Sequence, residues 1–240
     1  MEFTRSWAVR CLVSCAWLAT LACSKPKQEE AKTPEPIVDN SDDSSGSGMG
    51  VMAEVGGLNE EKVEKTFKRL QPAFTDCLMA GLKRVEFLGG EVQFLVEVSL
   101  EGQAGAAFIE HSTLGDSETE LCMLSSIAAS KWPKPVGGRI GLARSGLTFD
   151  VPNDVRGPVL WTSNNIADTL SRNEANLSEC GSGGPFEITS YVQTNGTVMA
   201  AGIAYSNAAS QPAAECYLER VRAIKFPSPG SWPAKVTFKR

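Results

Sequence analysis

Between residues 61 and 84 the apolar side chains Val63, Phe67, Leu70, Phe74, Leu78 and Leu82 recur in steps of three and four, which places them on one helical face beside Cys77. Gly89-Gly90 breaks this run. Val92, Phe94, Val96, Val98 and Leu100 then alternate with Gln93, Leu95, Glu97 and Ser99, the period of a strand with one buried face. A turn at Glu101-Gly102 and a return strand over 106–110 make a hairpin, which ends in the polar stretch 111–116. Ser117 and Glu120 have capping-box spacing, predicting a second helix that carries Leu121, Cys122, Leu124, Ser125, Ile127 and Ala128. Trp132-Pro133 stops that helix, and a last strand is expected over residues 138–149.

Gly102, Cys122, Trp132, Pro133 and Pro135 each have a counterpart 94 residues later, in Gly196, Cys216, Phe226, Pro227 and Pro229. A constant offset of this size means two copies of one supersecondary unit. The second copy is read as a helix over 164–180, strands over 187–194 and 197–205 around a turn at Asn195-Gly196, a helix over 213–224 and a strand over 234–239. Cys180 falls nine residues later than the offset predicts from Cys77, so the loop after the first helix is shorter in this copy.

The first 22 residues stand apart from any fold. Arg5 and Arg10 precede an apolar run from Cys11 to Ala22 that is too short to span a bilayer, which is signal-peptide geometry. The run ends in Thr20-Leu21-Ala22-Cys23-Ser24, which resembles a bacterial lipobox with Cys23 as the acylated residue; Ser24 fits outer-membrane sorting. Two or more acyl chains give stable membrane attachment. From residue 24 to about 57 the chain is rich in Lys, Glu, Pro, Asp, Ser and Gly, too polar to offset its ordering entropy, and is expected to be a disordered tether of roughly 30 Å. Its acidic run 39–48 lacks the glycine and terminal glutamate of an EF-hand.

Export changes the meaning of the seven cysteines, because an oxidising compartment allows disulfides. Cys11 and Cys15 leave with the signal and Cys23 takes lipid, leaving Cys77, Cys122, Cys180 and Cys216. In each copy one cysteine lies on the first helix and one on the second, which suggests Cys77–Cys122 and Cys180–Cys216, although sequence alone permits three pairings. The full chain carries −5, and without residues 1–22, which hold Glu2, Arg5 and Arg10, the remainder carries −6. That argues against a nucleic-acid partner.

A helix with cysteine, a strand, the Glu101-Gly102 turn, a strand, Ser112-Thr113-Leu114-Gly115-Asp116, a second helix with cysteine, Trp132-Pro133-Lys134-Pro135 and a strand led by Gly138 resemble the AgmX/PglI C-terminal domain family. That family is named from gliding-motility proteins and is similar to the TonB C-terminal domain. The resemblance covers residues 60–150. It weakens over 160–240, where Ser206-Asn207-Ala208-Ala209-Ser210 stands in place of the Ser-Thr-Leu-Gly-Asp loop. It implies an α+β chain of two tandem TonB-C-terminal-like α/β sandwiches, at 58–152 and 160–240, after a signal at 1–22 and a tether at 23–57. It also implies a periplasmic module acting by contact with other envelope proteins, without implying gliding motility.

No catalytic, metal or cofactor set is legible. His111 is the only histidine; with Ser112 and Asp116 nearby it could suggest a triad, but a solvent-facing loop leading into a helix cap is the expected reading. Gly181-Ser182-Gly183-Gly184 lacks the strand, helix and lysine of a phosphate cradle, and one histidine without clustered thiols makes no zinc site. Trp132 and Phe226, each before a proline at a helix end, are expected as core plugs. The function expected is therefore non-enzymatic interaction in the periplasm, on an outer-membrane lipid anchor, by strand addition at residues 138–149 or 234–239. The alternative is a small ligand or peptidoglycan fragment held between the copies, in a concave, aromatic-lined groove near residues 153–161. No binding residue is assigned.

Overall fold

Asn59 starts the first long helix: its side chain accepts the Lys62 amide at 2.9 Å, satisfying one of the donors that a helix N-terminus leaves open. The computed structural model describes residues 53–240. The expected signal segment, Cys23 and the chain up to residue 52 lie outside them.

The first half consists of β1 (Ala53–Gly56), α1 (Glu60–Leu82), β2 (Gly90–Ser99), β3 (Ala104–Ser112), α2 (Ser117–Ala128) and β4 (Gly138–Phe149). Its sheet has the order β1-β4-β2-β3. Val92, Phe94, Val96 and Val98 turn one face of β2 onto the helices, where Phe67, Phe74, Cys77, Met123, Ile127 and Trp132 complete one core. Phe74 stacks on Phe94 at 5.3 Å between ring centroids.

The second half has β5 (Val159–Trp161), α3 (Ala167–Arg172), α4 (Glu174–Ser178), β6 (Glu187–Val192), β7 (Val198–Ala204), α5 (Gln211–Ala223) and β8 (Ala234–Lys239). Its sheet order, β5-β8-β6-β7, is the same permutation. A separate cluster around Ile188, Val192, Phe186, Tyr217, Val221, Phe226 and Phe238 forms its core. The chain is thus a mixed α+β protein with two four-stranded sheets.

The repeated glycine and aromatic have one physical origin. Gly102 and Gly196 both take positive φ, 75° and 86°, in the hairpin turn. Their carbonyls accept the amides of Trp132 and Phe226, each at 2.9 Å. A Cβ on either glycine would run into the carbonyl of that same aromatic residue. Both aromatics are buried; Trp132 meets Phe67 edge-on at 5.0 Å and donates its indole N–H to the Ile127 carbonyl.

Several expectations are corrected. Residues 53–56 form β1 rather than the end of a tether, because they pair with the start of β4. The second half likewise begins with an unforeseen strand, β5. The single helix expected over 164–180 is broken into a 3-10 turn (Ser163–Asn165), α3 and α4. Ser, Thr and Asn side chains there compete for backbone groups; Asn173 Nδ2 takes the Thr169 carbonyl at 2.8 Å where the helix breaks. Leu100 lies in the turn, 45% exposed, because the hairpin closes at Ser99 through the Gly102 amide. Leu121 is also exposed, since Met123 and Ile127 define the buried face of α2.

Cys77 is bonded to Cys122 and Cys180 to Cys216, with Cα separations of 5.7 and 5.5 Å. Each bond ties the first helical region of its half to the second. Bridging 45 and 36 residues, each should contribute about 4 kcal/mol by restricting the unfolded chain. Replacing either pair with alanines is expected to lower stability by that order, read as a shift of the urea midpoint; an unchanged midpoint would contradict the assignment.

Candidate functional site

The polar stretch after β3, expected to face solvent, is buried because the second half covers it. Ser112 is 1% exposed, and its carbonyl accepts the Thr189 hydroxyl from β6 at 3.0 Å. The helix cap is Asp116 rather than Ser117: its Oδ2 accepts the Thr119 amide and hydroxyl at 3.3 and 2.6 Å and the Arg84 guanidinium at 2.5 Å. Ser117 instead lies in the first helical turn, where its hydroxyl meets Arg222 of α5.

Glu120 does not close a capping box. Its Oε1 accepts the Ser112 hydroxyl at 2.6 Å and the Gly115 amide at 3.4 Å. The carboxylate lies directly over Gly202 of β7, where any Cβ would collide with both oxygens. Burial pushes its carboxyl up to about 7, with the Ser112 hydrogen bond acting in the opposite direction.

Other groups cross the same junction. The Tyr191 hydroxyl donates to the Gly89 carbonyl at 3.2 Å and accepts the Gly89 amide at 3.4 Å. Burial pushes this phenol up. Lys235 of β8 donates to the same carbonyl at 2.5 Å and lies 5.4 Å from the Tyr191 ring centroid. Burial pushes its ammonium down to about 8. The edges of β3 and β7 meet in one backbone bond, from the Tyr205 amide to the Ile109 carbonyl at 2.7 Å.

His111, Ser112 and Asp116 are not brought together as a triad. His111 faces Glu187 through Nδ1, with Glu91 3.8 Å from Nε2. Ser112 is committed to Glu120, and Asp116 to Arg84 and Thr119. Near residues 153–161 Trp232 packs on Phe87 at 6.0 Å and under Arg156 at 5.1 Å, with its indole N–H on the Gly157 carbonyl.

An open groove of about 720 Å³ runs between α1 and β4. Val63, Phe67 and Gln71 line one wall; Leu58 and the β4 segment 142–147 line the other. β1 pairs only with Gly138, Ile140 and Gly141, so residues 142–149 have no strand partner on their outer side among the described residues. Unpaired backbone groups along such an edge form a template for another strand. In β8, β5 covers Ala234, Lys235 and Val236, which leaves a shorter edge.

No protein-family model, curated protein or solved structure matches the chain. Among the described residues no helix is long and apolar enough to cross a membrane, and no group of three or more His, Cys, Asp or Glu is placed to hold a metal ion.

The junction gives stability a pH dependence. Glu120 holds its proton to about 7 instead of 4.5, so the folded state binds the proton more tightly and loses stability as pH rises between those values. Lys235, at about 8 instead of 10.5, recovers its burial cost only as pH rises from about 8 to about 10.5. Glu120→Gln should remove the first slope, gaining about 2–3 kcal/mol relative to the unsubstituted chain between pH 5 and pH 8. Urea unfolding at the two pH values measures this, and identical slopes for both proteins would refute it.

Proposed function

We propose that the chain is an exported lipoprotein, acylated at Cys23 on an outer-membrane anchor facing the periplasm, and that it acts without catalysis as an interaction module for envelope proteins. In this reading it comprises two tandem domains of the TonB-C-terminal-like kind, and its partner adds a strand to the outer edge of β4. The observation that carries the proposal is the unpaired β4 segment 142–149 beside the groove of about 720 Å³ under α1. Backbone hydrogen bonds would supply affinity there, and the apolar floor at Val63, Phe67 and Leu147 would select side chains.

The amino-terminal pattern and the two disulfides support export to an oxidising compartment. The Ser-Thr-Leu-Gly-Asp and Trp-Pro-x-Pro motifs support the family reading. The second copy's edge is shorter, so the first copy is the expected site of contact.

A photoreactive residue at Arg144, on the open edge, should give a discrete adduct in intact envelopes, while the same residue at Met79, exposed elsewhere on α1, should not. No adduct from position 144, or the same adducts from both positions, would remove the case for strand addition. Mass spectrometry of the membrane-derived protein should find acyl chains on Cys23; an unmodified amino terminus would overturn the anchor.

A further inference from the structure

Between α2 and α5, above the bond that joins β3 to β7, lies a cavity of about 110 Å³. Leu121, Leu124, Leu218 and Ile203 give it apolar walls, and Tyr205 stands beside them. Among the described residues its ionisable lining otherwise consists of two acidic side chains, Glu120 and Glu215, and no Lys, Arg or His lines it. It therefore combines an aliphatic surface with two carboxyl groups.

Glu120 is an unusual group to place there. It is 3% exposed and makes no ion pair within 4.0 Å among the described residues. Among the described residues both of its hydrogen bonds fall on Oε1, which leaves Oε2 without one there. Arg222 is near enough to act on its charge but gives its guanidinium to the Ser117 hydroxyl. A carboxyl group this deep is costly in its charged form unless a proton, a donor or a cation completes it. The bare backbone at Gly202 makes room for the group, so its position is built into the fold.

We propose that this cavity binds an aliphatic chain ending in a protonated amine, with its methylenes against Leu121, Leu124 and Leu218 and its ammonium on Glu120 Oε2. Amphipathic chains of this kind lie along apolar surface and direct the charge to a polar partner, and a charge-assisted bond to a desolvated carboxylate is stronger than a neutral one. At about 110 Å³ the cavity is far below the roughly 300–1,000 Å³ of sites for drug-sized ligands, which restricts the ligand to a single chain. A lysine side chain of a polypeptide and a free alkylamine share this chemistry. The inference does not depend on strand addition at β4, because the cavity is lined by other elements.

The test is methyl NMR on the full-length chain titrated with n-pentylamine, n-pentanol and Nα-acetyl-lysine methylamide. Saturable shifts at the methyls of Leu121, Leu124 and Leu218 are expected with an amine probe, and at least tenfold weaker binding with pentanol. Glu120→Gln should weaken amine binding by tenfold or more. Leu121→Trp, an exposed substitution that fills the cavity mouth without touching the carboxylate, should abolish it even if Glu120→Gln fails to fold. Tighter binding of the lysine derivative supports a polypeptide source, and tighter binding of pentylamine supports a free amine. Equal binding of pentanol, no saturable shift, or normal binding by both variants would overturn the proposal, whatever the crosslinking at Arg144 shows.

Discussion

The arrangement of the two halves depends on taking one carboxylate out of water. Glu120 reaches from α2 toward β7, and only a glycine at 202 lets its oxygens lie that close to the strand. Once there, it needs donors, and the loop after β3 supplies them through Ser112 and the Gly115 amide. That requirement shapes the loop, which in turn places Asp116 to cap α2 and to meet Arg84. The second half closes over this arrangement through Thr189, Tyr191 and Lys235. A half-satisfied polar network would be worse than an apolar one, so these groups have to be placed together.

The same geometry decides which sheet edges remain available. β3 and β7 face each other across the junction but share only the bond between Ile109 and Tyr205, so contact there is made by side chains more than by strand pairing. β1 and β5 each cover the beginning of an outer strand. The later part of β4 has no strand partner on its outer side among the described residues, and it lies beside a helix whose apolar side chains are already turned toward it. The proposed contact site is the part of β4's outer edge that β1 leaves uncovered.

Local elements were legible because their signals are local. The alternation in β2, the three-and-four spacing in α1 and the proline stops give boundaries within a few residues of those observed, and β8 coincides with its expected range. The disulfides match the pairing suggested by one cysteine in each expected helical segment, one of three that the sequence permits. The helix over 164–180 failed because its many short polar side chains act on their own backbone, which a count of apolar positions does not weigh. The burial of the 111–116 loop was hidden for a different reason: its partners in the second half lie 75 and 77 residues away in sequence. A glutamate among the apolar positions of α2 and a glycine within the interior of β7 were the available signals, and neither is specific by itself. β1 and β5 were missed because each is too short to show a period.

The four described cysteines pair in chain order, Cys77 with Cys122 and Cys180 with Cys216, and neither bond crosses between the halves. A chain made from its amino end can therefore seal each loop as soon as the second cysteine of that half appears, with no partner to wait for and none to exchange. The junction follows a later schedule. Glu120 must wait for Gly202, and Gly89 for Lys235, close to the last residue. Covalent closure is thus sequential, while the seam between the halves is completed only when almost the whole chain is present.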